Sequence, residues 1–191
     1  MNALDVIRSE HRSLAAVLHT LQALTRGARE GRLAPDHALM RLIVDYLESF
    51  HQRFHHPKED EHLFRTLRAR TSDAHDTLAE LERDHAEGDA RLARLRDAID
   101  RARSGAGTVS ELAVQVELYA DFHWRHMRAE EDVVMPLAAR VLTQDDWLRI
   151  DAAFADNDDP LFGKARRDEY RRLLALIAEH APPPLGSGGH D

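Results

Sequence analysis

Four segments of this chain carry apolar residues three and four apart, and only short breaks divide them. The breaks are GRLAPD at 31–36, TSD at 71–73 and SGAGT at 104–108. Apolar stripes of that spacing are the pattern of packed amphipathic helices. The breaks hold helix-stopping glycine and proline and the capping residues Asp36, Thr71 to Asp73, and Thr108. The spacing therefore predicts helices over about 2–28, 36–69, 72–103 and 108–141, with ends good to roughly 2–4 residues. Short loops between long helices make neighbours antiparallel, so the expected fold is an all-α, up-down-up-down four-helix bundle occupying residues 1–141. A C-terminal extension over 142–181 reads as two shorter helices packed on the bundle, the first capped by Thr143 and the two joined at NDDPLFG. Residues 182–191 read as a disordered tail.

The seams are interrupted by polar residues. In the first helix the stripe Leu4, Ile7, Leu14, Leu18, Leu21 has His11 as its missing member. In the third, Leu78, Leu81, Leu92, Leu95 and Ile99 leave gaps at His85 and Gly88. The fourth runs Leu112, Val116, Tyr119, His123, His126, Glu130, Val133, Leu137 without a break in its alternation. The second begins Leu39, Ile43, Leu47, Phe50, Phe54 and is then disturbed by Pro57, which removes a backbone donor and crowds the preceding turn. On a regular helix His51, His55, Glu59 and His62 lie together at the edge of that seam. His56 points about a quarter-turn away, and phase leaves the choice between His55 and His56 open.

Loop positions place these groups at one height. Antiparallel helices rise equally per residue, so residues equidistant from a short turn face each other. With the second-helix cluster centred on 57 and the fourth-helix pair on 128, the midpoints between successive clusters are 34, 71 and about 106, each within a break. A lone histidine on a seam is ordinarily a hydrogen-bonded core residue, and a run such as KEDE is ordinarily a solvated face. Several imidazoles and two carboxylates in one buried layer are different, because each unpaired buried charge costs several kcal/mol. A bound cation offsets that cost.

Imidazole with carboxylate suits iron, manganese or zinc. The chain has no cysteine and 13 histidines, which excludes disulfides, thiolate nucleophiles, iron–sulfur clusters and cysteine-type zinc sites. The supply of ligands exceeds the four that one zinc needs and suits two ions bridged by carboxylates. A ferritin-like arrangement would use Glu59-x-x-His62 and Glu82-x-x-His85. It fits poorly, because those motifs lie on consecutive helices and Glu82 is off its seam.

With these motifs in place, Glu10-His11, HHPKEDEHLF at 55–64, DHAEG at 84–88 and HWRHMRAEEDVVMP at 123–136, the sequence resembles the hemerythrin-like family, the bacterial HHE cation-binding domains. The resemblance implies a non-haem di-iron centre inside the bundle. It implies His11, His55, His85 and His126 as terminal ligands, Glu59 and Glu130 as bridges, and His56 as a further ligand. Oxygen-carrying members have two histidines one turn apart on the third helix. Here only His85 is present, and His123 could take the missing place or, like His51, His62 and Tyr119, support the ligands from outside. Two functions share this ligand set: binding or sensing dioxygen, peroxide or nitric oxide, and an enzyme of oxidative or nitrosative stress defence. Iron storage or sensing and a zinc-stabilised bundle are further alternatives, with zinc or manganese as substitutes for iron. A net charge of −8 argues against nucleic acid as a partner. The lack of a membrane span or signal peptide makes a soluble cytoplasmic protein the expectation, either monomeric or a homodimer.

Overall fold

The capping residues read from the sequence place most of the helix ends. The computed structural model describes residues 2–155 together with Leu173, Ala175, Leu176 and Glu179. Helix α1, Ala3–Arg29, starts from a reciprocal cap in which Asn2 accepts from the Asp5 amide and the Asp5 carboxylate accepts from the Asn2 amide. Helix α2 spans residues 37–70 from an Asp36 cap on the Leu39 amide. Helix α3, His75–Ser104, begins three residues later than the spacing predicts. Thr71 Oγ1 accepts from the Asp73 amide and holds that stretch as a turn, and no side chain caps the helix. It stops at Gly105, whose φ of 77° lies in the left-handed region that glycine adopts freely. Helix α4, residues 109–141, and helix α5, Gln144–Phe154, each open on a capping box, Thr108 with Glu111 and Thr143 with Asp146.

α1 packs against α4, α4 against α3, and α3 against α2, closing an all-α bundle. Its interior is divided in two. One apolar cluster takes Leu14, Leu18 and Leu21 of α1 with Ile43, Leu47, Leu95, Ile99, Leu112 and Val116, and Leu173 is buried in it. The other takes Leu4 and Ile7 with Phe64, Leu67, Leu78, Leu81, Val134 and Leu137, and α5 covers it with Ile150 and Phe154. Between them lies a layer of buried histidines and glutamates at the height that the loop midpoints require.

α5 is fixed to the bundle by polar contacts as well as by its apolar face. Asp151 Oδ1 accepts from the Ala3 amide at 2.6 Å, and Asp146 pairs with Arg70 through both oxygens at 2.8 and 3.0 Å. Arg70, then the Thr143 cap, holds the Asp146 carboxyl well below the usual carboxylate range. A carboxyl lowered in the folded state stabilises it above the unfolded pKa of about 3.9 and loses that contribution as pH falls. Asp146→Ala is therefore expected to lower the melting temperature near neutral pH, and less so in acid. Amide exchange should speed up in residues 144–154, and an unchanged exchange pattern would show that the apolar face alone holds α5.

The NDDPLFG turn and the tail at 182–191 lie outside the described residues, while Leu173, Ala175, Leu176 and Glu179 are helical. Among the described residues no helix is long and apolar enough to cross a membrane.

Candidate metal centre

The backbone of α2 explains how neighbouring histidines reach the same interior. Residues Leu47–His55 and Glu59–Phe64 are π-helical, with i to i+5 hydrogen bonds, and only His56–Lys58 between them is α-helical. α4 repeats the device at Glu130–Val134. In both helices a proline is the second residue after a π segment, Pro57 and Pro136. Proline offers no amide and its ring crowds the carbonyl four residues earlier. Bonding the preceding amide one residue further back, His56 to the His51 carbonyl and Met135 to the Glu130 carbonyl, accommodates the break without ending the helix.

The extra residue per turn shifts the phase. His55 and His56 are both buried, 1 % and 4 % exposed, so both side chains face the interior where a regular helix would turn them a quarter-turn apart. His62, placed beside them on a regular helix, is half-buried and stands outside the groups of side chains that could hold a metal ion. In α4 the same shift corrects the expected seam: Val133 is 41 % exposed and Val134 is fully buried.

Glu59 and Glu130 sit at the centre. Glu59 Oε2 lies 3.3 Å from His55 Nε2 and 3.6 Å from His85 Nε2, while its Oε1 is 4.0 Å from His11 Nε2. Glu130 Oε2 lies 3.2 Å from His11 Nε2, and its Oε1 is 3.3 Å from His126 Nε2 and 4.0 Å from that of His85. The ligand atoms form overlapping groups: His11, His55 and Glu59; His56, His85 and His126; and Glu59, His85, His126 and Glu130. Each carboxylate thus faces both a two-histidine half and a three-histidine half. Within the second, the His56 ring stacks on His85 at 4.1 Å. His56, on α2, therefore joins the group that the sequence reading offered to His123, which belongs to none of them.

Outside this inner layer stands a second one that the seams do not reveal. The Nδ1 atoms of three histidines each hydrogen-bond a carboxylate, His11 with Glu131 at 2.8 Å, His55 with Glu10 at 2.5 Å and His85 with Asp60 at 2.8 Å, while His126 Nδ1 lies 3.5 Å from Asp84 without hydrogen-bond geometry. A carboxylate accepting from Nδ1–H fixes the ring and leaves the Nε2 lone pair directed inward, the arrangement of metal-bound histidines. The adjacency Glu10-His11 and the DH of DHAEG were visible in the sequence. The partnering is not between those neighbours, however: Glu10 serves His55, and Asp84 faces His126. Asp60, expected to face solvent, bonds His85, and Glu82 pairs with Arg68 on the surface.

Without a cation the charges of the layer are uncomfortable. Both oxygens of Glu59 and of Glu130, and Nε2 of His11, are buried with no hydrogen-bond partner. Burial, then the nearby Glu130 and Glu10, pushes the Glu59 carboxyl well above its ordinary range. Burial would raise Glu130 too, but His126 and His11 facing it outweigh that and hold it well below. His126 is pushed up to about 9, its burial overcome by Glu130 and Asp84, and His11 is raised against its burial by Glu130 and Glu131. His56 is held well below the usual imidazole range by burial and by its histidine neighbours. Nitrogen and oxygen donors about 3–4 Å apart suit a cation lying about 2 Å from each. The residues present therefore fit a metal.

A model of the hemerythrin HHE cation-binding domain matches residues 2–138. The chain belongs to that family. No curated protein and no solved structure gives a significant match. In this HHE domain the residues of the three inner groups all come from the matched segment, on all four bundle helices. An open groove of about 420 Å³, lined by His11, Arg12, Trp124, Met127, Arg128 and Glu131, gives the layer a side facing solvent. A larger groove, about 590 Å³, lies between α3 and α4 and touches none of the inner residues.

Proposed function

We propose that this HHE domain holds two non-haem iron ions, bridged by Glu59 and Glu130, and uses them to bind or sense dioxygen or a related small molecule such as peroxide or nitric oxide. The observation that carries the reading is that each buried, partnerless carboxylate faces histidines of two different groups, as a shared ligand must. Hard oxygen and imidazole donors with no thiolate suit iron, and zinc or manganese would occupy the same donors. When bound, such a pair supplies redox-active sites for a small molecule. His11 and His55 with the two glutamates provide fewer donors than the half that adds His56, His85 and His126, so the first half has more room for an exogenous ligand. The chain's own contribution is positional and protective. The outer carboxylates Glu131, Glu10 and Asp60 orient three imidazoles, Asp84 faces the fourth, and the apolar clusters above and below keep bulk water from the layer.

The test is metal analysis of the purified chain followed by visible spectra of the reduced protein exposed in turn to air, peroxide and nitric oxide. A stable new band that reverses on removing the gas is the expected result. Rapid bleaching with consumption of peroxide or nitric oxide would make the protein an enzyme of oxidative or nitrosative stress defence. A colourless zinc protein would end the di-iron reading.

A further inference from the structure

The apolar seam of α3 has gaps at His85 and Gly88, and a metal ion accounts only for the first. Gly88 is buried inside the helix and its φ lies outside the left-handed region, so the backbone there does not call for glycine. Glycine in a helix interior costs about fivefold in the folding equilibrium against alanine. Space is what the position requires. A Cβ on Gly88 would overlap the side-chain amide of Gln52, which crosses from α2 at that point.

Gln52 belongs to the π segment Leu47–His55, and its Nε2 donates to the backbone carbonyl of His85 at 2.8 Å. A carbonyl has two lone pairs and can take this bond beside the one made within its own helix. Further along α2, at four-residue steps from Gln52, other side chains meet the His85 ring. His56 stacks on it at 4.1 Å, Asp60 Oδ1 lies 2.8 Å from its Nδ1, and Phe64 lies 5.7 Å away and within 12° of parallel. On a regular helix of 3.6 residues per turn such a row would rotate by about 40° at each step. The π segments on either side of His56–Lys58 hold more residues per turn and keep the row facing α3.

We propose that Gln52 is a positioning residue for His85, fixing its main chain while Asp60 fixes its ring, and that Gly88 is small in order to admit the Gln52 amide. The pair sets the spacing of α2 and α3 at the height where His85 meets His56 and Glu59. The inference rests on the reading of the layer as a metal centre, whatever the ion. It extends that reading to two residues outside every metal-holding group.

The experiment is a cobalt(II) titration of the metal-stripped full chain, followed by visible absorbance, in the wild type, Gln52→Ala, Gly88→Ala and the double variant. The melting temperature of each stripped protein is measured alongside. Both single variants break the same bond, one by removing the donor and the other by pushing it aside. Each should bind cobalt about tenfold more weakly and with shifted ligand-field bands, and the double variant no more weakly than Gln52→Ala. Stability should part from affinity. Gly88→Ala should raise the melting temperature by about 2–4 °C on the Gln52→Ala background, where the space is free, and by less in the wild type. Cobalt affinity of Gln52→Ala within about twofold of wild type, or losses that multiply in the double variant, overturns the inference alone. An equal gain in melting temperature on both backgrounds does the same, since Gly88 would then not be reserved for Gln52. A wild-type chain that takes up neither cobalt nor iron overturns the proposed function and this inference with it.

Discussion

On the di-iron proposal, Glu130→Ala is expected to cost the layer at least one of two ions. Glu130 is the residue whose oxygens divide between the halves, Oε2 toward His11 and Oε1 toward His126. Its removal deletes a donor from each half and one of the two inner carboxylates, Glu59 and Glu130, that would offset bound cations. Outer partners of metal ligands typically contribute about 10- to 100-fold in affinity, and a shared inner ligand should exceed that. Glu131→Gln gives the scale, since Glu131 reaches the layer only through His11 Nδ1 and is itself 44 % exposed. Glu82→Ala serves as the control, because Glu82 pairs with Arg68 on the surface. Metal per chain, measured after dialysis against trace metal, should fall steeply for Glu130→Ala, slightly for Glu131→Gln and not at all for Glu82→Ala. Two ions retained in full by Glu130→Ala would reject its bridging role.

Chelation should lower the melting temperature by about 8–16 °C near neutral pH. A ligand present at about 1,000 times its Kd stabilises the folded state by about 4 kcal/mol, and in a chain of this size each kcal/mol moves the midpoint by about 2–4 °C. The pH dependence has a definite sign. In the metal-free layer His11, His126 and Glu59 all have raised pKa values. A raised group stabilises the fold below its unfolded pKa, and that contribution is lost as pH climbs through the folded one. The metal-free protein therefore loses stability from these groups as pH rises across neutrality. Metal, which needs neutral imidazole and ionised carboxylate, binds more tightly over the same range. The gap between loaded and stripped protein should widen from about pH 5.5 to about pH 8. A melting temperature indifferent to chelation would mean that the layer is satisfied without a cation.

Much of this arrangement is legible in the chain before folding is considered. Helix ends follow from Asp36, Thr108 and Thr143, whose caps depend on a few adjacent residues. The height of the polar layer follows from loop positions and an equal rise per residue. The candidate inner residues follow from which seam positions are not apolar, and all seven, from His11 to Glu130, are buried together. The reading failed where the helical period itself changed. Val133 and Val134 exchanged places and His62 fell outside, while His56, which the reading could not separate from His55, turned inward beside it, because π segments bordering Pro57 and Pro136 add a residue to the turn. Proline in a seam was the available signal, and it announced a disturbance without its direction.

By itself the sequence determined a bundle of four antiparallel helices with a histidine and glutamate layer between two apolar ends, because spacing, caps and short loops act locally. Only the tertiary structure decided which carboxylate serves which imidazole. Glu131 meets His11 across 120 positions and Glu10 meets His55 across 45, while Glu10 and His11, adjacent in the chain, point to different partners. The physical reason is that neighbours on a helix project about 100° apart. The Nδ1–H group must therefore donate to whichever facing helix presents a carboxylate at that height, and packing alone sets that.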